Sequence, residues 1–129
     1  MERAVIDTNV LVSALISHNG NPAHILDMIS DGSLTPVYCL RIIGEYTQVL
    51  SRPHFRFSRS LIIKTLDLFN LYGIAVNPQK SDFFMIDESD RIFYDTAIEG
   101  AAILITGNLR HYPVEPFIVN PAEFLRGVI

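Results

Sequence analysis

The sequence predicts an α/β fold, a three-layer α/β/α arrangement around a central parallel sheet of about five short strands. Three observations carry this reading. Five short runs, residues 3–7, 35–39, 74–76, 102–106 and 117–119, are almost wholly apolar rather than alternating. Strands of that kind are covered on both faces, as in parallel sheets. Helical stretches separate the runs, and right-handed crossovers then bring every strand-to-helix junction to the same sheet edge.

Each element has a local reason. The first strand, Arg3-Ala-Val-Ile-Asp7, passes directly into a helix over residues 9–16. After the loop His18-Asn19-Gly20, Asn21 reads as an N-cap with Pro22 at the first helical position. That helix runs to about residue 31 and stops at Gly32. The second strand leads into a helix over residues 40–50 that carries Glu45 and ends at the Arg52-Pro53 breaker. Residues 58–72 form a longer helix with Ile62, Leu66 and Phe69 on one face, capped by Ser58 and terminated by Gly73. A third strand and a polar stretch precede a helix from about residue 90 to residue 99, ending at Gly100. The fourth strand ends at Thr106, and the fifth leads through the Asn120 cap into a last turn over residues 121–126.

At 129 residues the chain makes one domain, residues 1–129. A hydrophobic content of 49% excludes a disordered chain. No apolar run approaches the roughly 18 residues that cross a bilayer, so no membrane association is expected. The Glu2, Arg3 and Asp7 charges do not fit a signal peptide. The single Cys39 excludes an intrachain disulfide and fits a reduced, cytoplasmic setting, where it reads as a small buried hydrophobe. The net charge of −4 argues against a nucleic-acid partner until its distribution is considered. Residues 41–64 hold Arg41, Arg52, Arg56, Arg59 and Lys64 against Glu45 alone. Residues 82–99 hold Asp82, Asp87, Glu88, Asp90, Asp95 and Glu99 against Arg91 alone. Two solvated faces account for this pattern as well as a basic docking region and a cation-binding one.

The chemistry centres on Asp7. A carboxylate at the tip of an apolar strand sits where ligands gather in open α/β folds, and burying it requires a metal, a base or a hydrogen-bond cage. Glu45, Asp90 and Asn108 are the candidate partners. Asp90 either caps its helix or faces the rim, and Glu45 either joins the site or lies on an exposed helix face. Hard oxygen donors of this type suit Mg²⁺ or Mn²⁺, and no His/Cys cluster has zinc spacing. Crowded carboxylates repel, so at least one of them is expected to titrate high.

Four stretches together resemble the PIN domain, the nuclease fold of toxins in virulence-associated type II toxin–antitoxin pairs. They are Val5-Ile6-Asp7-Thr8-Asn9-Val10-Leu11-Val12-Ser13-Ala14-Leu15, Ile43-Gly44-Glu45-Tyr46-Thr47-Gln48-Val49-Leu50, Asp90-Arg91-Ile92-Phe93-Tyr94-Asp95-Thr96-Ala97 and Leu104-Ile105-Thr106-Gly107-Asn108-Leu109-Arg110-His111-Tyr112. The resemblance implies that Asp7, Glu45 and Asp90 form an acidic cluster holding Mg²⁺ or Mn²⁺ for hydrolysis of RNA phosphodiester bonds. It also implies that Thr8 and Asn9 order the turn around Asp7 and that Thr106 braces the loop after the fourth strand. Asn108 stands where many members carry Asp, and its amide brings no charge to a second metal site. Asp95 is a candidate replacement, although it lies about 140° around the helix from Asp90. Asp87 and Glu88 read as solvated loop residues, and His111 either approaches the scissile group or lies on the surface.

The resemblance further implies an antitoxin partner that lays a segment over the rim, and a homodimer formed through helical surface. For RNA contact, Arg41, Arg52, Arg56 and Arg59 are candidates, with Phe55 and Phe57 either stacking on bases or packing the core. Asn108 and the negative net charge also support an alternative, a PIN-like module that binds RNA or protein without cutting. A phosphoryl-transfer domain fits poorly, because Thr8 and Asn9 follow Asp7 where a second acid is needed.

Overall fold

The computed structural model describes residues 2–127; the predicted domain limits, residues 1 and 129, lie outside the described residues. In chain order the elements are β1 (Glu2–Ile6), α1 (Thr8–Ile16), α2 (Asn21–Ser30), β2 (Leu34–Tyr38), α3 (Leu40–Leu50), α4 (Arg59–Tyr72), β3 (Ile74–Ala75), α5 (Arg91–Glu99), β4 (Ile103–Ile105), β5 (Ile118–Val119) and α6 (Pro121–Leu125). The strands form one parallel sheet in the order β3-β2-β1-β4-β5, between helical layers. The predicted fold class is therefore the observed one. No helix among the described residues is long and apolar enough to cross a membrane.

The strand order determines where a site can form. From β1 the chain winds outward through β2 to β3, then returns to place β4 on the opposite side of β1. The β1/β4 boundary is thus the topological switch point, where a crevice opens beyond the carboxyl ends of the strands. Ile6 pairs in register with Ile105, and Ile105 with Val119. The next residues, Asp7, Thr106 and Asn120, therefore leave the sheet at a common level.

Several element ends differ by one residue from the sequence reading, with local causes. Asp7 has left the strand and is the N-cap of α1, its carbonyl accepting from Val10 at 3.0 Å. Gly20, rather than Asn21, is the N-cap of α2, and its carbonyl accepts from His24 at 3.2 Å. Asn21 and Pro22 are then the first two helical residues, a position where the missing proline N–H leaves no bond unmade. Cys39 is the N-cap of α3 rather than the last strand residue, and it is buried as expected. Ser58 caps α4 by accepting from Leu61 N at 3.1 Å. Asn120 and Glu123 complete a reciprocal capping box on α6. Pro36 falls within the internal strand β2, but β3 pairs only with Val37 and Tyr38, so β1 alone flanks the sheet at that point.

The core is anchored by aromatic residues from three helices. Tyr46 of α3, Phe69 of α4 and Phe93 of α5 are all buried, with the Tyr46 ring 5.1 Å from Phe69 and 6.4 Å from Phe93. The Tyr46 hydroxyl donates to the Ile6 carbonyl, which ties α3 to the end of β1. Gly73 closes α4 in a tight space: a Cβ there would lie 2.5 Å from the Phe69 carbonyl oxygen and 2.8 Å from that of Pro36. Gly44, within α3, has open space around it. Gly73→Ala is therefore expected to lose about 2–3 kcal/mol of unfolding free energy, whereas Gly44→Ala should gain up to about 1 kcal/mol through helix propensity. Urea denaturation of the two variants checks both signs.

Candidate active site

Asp7 is almost fully buried at the switch point, 5% exposed. Its carboxylate oxygen Oδ2 accepts from Thr106 Oγ1 at 2.8 Å and from Tyr112 OH at 2.9 Å. Burial pushes the Asp7 carboxyl above its ordinary range, and the Thr106 and Tyr112 hydroxyls and the Thr8 amide pull it back. The cage required for a buried carboxylate is thus built from hydroxyl donors. Tyr112 escaped the sequence reading, because a tyrosine in an otherwise ordinary loop carries no local sign of its distant partner.

Thr106 holds two loops at once. Besides donating to Asp7, its hydroxyl accepts from Asn108 N at 3.0 Å. Asn9 reaches across the switch point to accept from Gly107 N at 2.9 Å. Asn9 therefore secures the loop after β4 rather than the turn around Asp7. Thr8 is buried and serves both sides: its amide bonds the Asp7 carboxylate, and its hydroxyl donates to Glu45 Oε2 at 2.5 Å. Tyr46 bound to Ile6 and Glu45 bound to Thr8 straddle Asp7, so α3 is locked at the residues flanking it.

Asp90 occupies the cap position of α5 but makes no side-chain cap. Its Oδ2 instead lies 3.0 Å from His111 Nδ1. Asn108 Nδ2 lies 3.1 Å from both ring nitrogens of His111, so the imidazole bridges the two predicted positions. Burial first, and then the negative charge of Asp7, raise Asp90 to about 6, against the opposing His111 bond. A high-titrating carboxyl is therefore present, with desolvation ahead of like-charge repulsion as its cause.

Asp87 is exposed, as expected of it, but it also has a structural part. It caps the 3₁₀ turn Glu88–Asp90 by accepting from Ser89 N at 3.0 Å and Ser89 Oγ at 2.8 Å. That turn brings one donor atom each from Asp87, Asp90 and His111 within 4.8 Å of one another. A single cation contacting oxygen or nitrogen at about 2.0–2.5 Å spans such a separation. Asp7 and Glu45 stand outside this group; Tyr112 bonds Asp7, and its hydroxyl also feels the charges of Asp90 and Glu45.

The remaining acids have structural work. Asp95 is buried and accepts from Ser81 N at 3.1 Å. Glu88 pairs with Arg91, with Nε to Oε2 at 2.6 Å. Arg91 also donates to the carbonyls of Ser81, at 3.1 Å, and Phe83, at 2.6 Å, and so shapes the loop that carries Asp87. Neither the Arg91 hub nor the 3₁₀ turns over Pro53–Phe55, Glu88–Asp90 and Leu109–His111 emerged from the sequence. The four candidate RNA-contacting arginines are divided between the two ends of α3. Arg41 lies in the first turn of α3, while Arg52 follows its C-terminal cap, about 16 Å of helix away.

A family model described as PIN domain matches residues 3–110. The chain belongs to the PIN domain family. It is 35% identical over 109 residues to the uncharacterized protein MJ1680 of Methanocaldococcus jannaschii, covering 82% of this chain and 70% of that protein. The fold also matches the crystal structure of VapBC2 from Rickettsia felis bound to a DNA fragment from their promoter, with a TM-score of 0.56 at 17% identity. That superposition covers 92% of this PIN domain and 96% of the matched chain.

Two outcomes follow from the geometry. Tyr112→Phe removes one of the two hydroxyls on Asp7 Oδ2 and should cost about 2 kcal/mol of stability in urea unfolding. Asp90 binds its proton more tightly when folded than when unfolded, so its contribution to stability declines as pH rises from about 4 to about 6.5. In EDTA, Asp90→Asn should therefore gain melting temperature relative to the wild type across that window, as read by thermal scans at stepped pH.

Proposed function

We propose that this PIN domain is a divalent-metal-dependent endoribonuclease, the toxin of a toxin–antitoxin pair. The observation that carries the reading is the gathering of Asp7, Asp90 and the Glu45–Thr8 pair around Tyr112 at the switch point. PIN domains are generally metal-dependent nucleases, and a cluster with cation-sized spacing adjoins these acids. Asp7, Glu45 and Asp90 are the residues assigned to catalysis. Asp90, with Asp87 and His111 beside it, would hold Mg²⁺ or Mn²⁺, with Asp7 and Glu45 completing the charge and Asn108 offering an amide oxygen. The mixed carboxylate and imidazole donors suit Mn²⁺ at least as well as Mg²⁺. When bound, the cation supplies Lewis acidity toward a phosphoryl oxygen and makes water a competent nucleophile near neutral pH.

The chain's own groups set the conditions for that step. Thr106 and Tyr112 hold one Asp7 oxygen in place, so the carboxylate does not turn when substrate arrives. The Thr8 hydroxyl orients Glu45, and His111 orients Asp90. His111 also stands within reach of a proton released at the rim, since its Nδ1 already contacts Asp90. An antitoxin partner and a homodimer belong to the same proposal. The residue resemblance to toxin components supports both, and the fold likeness to VapBC2 adds support for the antitoxin alone. A reduced, cytoplasmic setting accords with the buried free thiol of Cys39.

The second reading is a PIN module that binds without cutting. It is favoured by the uncharged Asn108 and by the imidazole that bridges Asn108 and Asp90. Incubation of labelled RNA with Mn²⁺ separates the two. Asp7→Asn should lower cleavage by at least about 100-fold, and equal cleavage by both proteins would mark the activity as a contaminant. Millimolar Mn²⁺ should also raise the melting temperature of the wild type and raise it less for Asp90→Asn. An unchanged transition in both would favour the non-cutting module.

A further inference from the structure

Between α3 and α4 lies a segment that the acidic rim does not use. Residues 51–59, Ser-Arg-Pro-His-Phe-Arg-Phe-Ser-Arg, carry three arginines and no acid within a chain of net charge −4. Pro53–Phe55 forms a 3₁₀ turn, and Arg56 then adopts φ 57° and ψ 28°. A left-handed conformation at a long side chain is uncommon and strained. Here it turns the chain so that Phe57 returns over Phe55, with centroids 5.4 Å apart and planes 11° from parallel. His54 lies on Phe55 as well, 4.2 Å between centroids. Three rings thus form a column: Phe57 rests against the core, Phe55 is half-buried and His54 is exposed. The side chains of Arg52, Arg56 and Arg59 make no ion pair or hydrogen bond among the described residues.

We propose that this loop is a docking platform for an unpaired stretch of RNA. The outermost ring, His54 backed by Phe55, receives a base face, and Arg52, Arg56 and Arg59 meet the phosphates that flank it. Flat aromatic surface beside unpaired guanidiniums is the chemistry that holds single strands, because every base has a face to stack and every nucleotide a charge to neutralise. A duplex keeps its base faces inside and offers only phosphates to the same surface. The segment leaves the C-terminal end of α3, the helix that carries Glu45 about 8 Å along its axis before Leu50. The proposal rests on the nuclease reading only in taking RNA as the polymer, since stacking requires no cleavage.

The test is fluorescence anisotropy in EDTA, with labelled oligouridylate, oligoadenylate and a duplex RNA of equal length. The wild type should prefer the single strands. Phe55→Leu, which keeps apolar bulk and removes the ring on which His54 lies, should weaken their binding about tenfold. Arg56→Gly should relieve the left-handed backbone and keep or raise the melting temperature. It should also weaken binding and flatten the salt dependence by about 0.7 in log–log slope. Equal affinities for wild type and Phe55→Leu, or equal affinities for single strand and duplex, would overturn the proposal. So would loss of self-association in Phe55→Leu with RNA binding intact, which would make the loop an interface between copies. Because no metal is present, binding in EDTA without cleavage in Mn²⁺ would defeat the nuclease reading alone. Cleavage without this binding pattern would defeat the platform alone.

Discussion

The pairing of β1 with β4 is the constraint on which the rest of the rim depends. Ile6 opposite Ile105 brings Asp7 and Thr106 off the sheet side by side, and the Asp7 amide donates to the Ile105 carbonyl at 2.9 Å. A one-residue slip would turn every side chain of β1 to the opposite face. Val5 and Ile6, fully buried, hold the strand against that slip. Apolar packing therefore sets the position of a carboxylate that it would otherwise exclude, and two hydroxyls make the position tolerable.

From that point the rim is assembled by contacts between segments distant in sequence. The Asp7–Tyr112 bond spans 105 residues, the Asp7–Thr106 bond 99 and the Thr8–Glu45 bond 37. The first two join the loop after β4 to the first strand–helix junction and the third joins α3 to it; His111 bound to Asp90 brings in the fourth stretch that resembles the family. The acidic side is constructed differently. Asp87 and Asp90 ride on a short 3₁₀ turn, and Arg91 and Asp95 hold the preceding loop from α5.

What was legible in the sequence is what acts over a few residues or repeats along an element. Continuous apolar strands gave the sheet, Ser58 and Asn120 gave their caps, and Gly73 gave the end of α4. Asp7 was conspicuous because a charge at the end of such a strand conflicts with its surroundings. Tyr112 and Tyr46 were not legible in their roles, since each looks like ordinary apolar bulk until a partner far along the chain is known. Asn21 looked like a cap because its side chain can serve as one, yet the backbone turned one residue earlier at Gly20. Asp87 is solvated as its polar loop suggests, but a loop without periodicity does not reveal the turn that Asp87 caps.

Arg91 has a meaning beyond its own contacts. Its planar fork addresses two carbonyls and a carboxylate along fixed directions. A lysine in its place would keep the charge while satisfying fewer of these acceptors, and α5 would still begin where it does. The outline of the acidic lip would loosen while the packed core beneath stayed sound. Shape at the mouth and solidity in the interior are thus under separate control, and drift in one need not disturb the other.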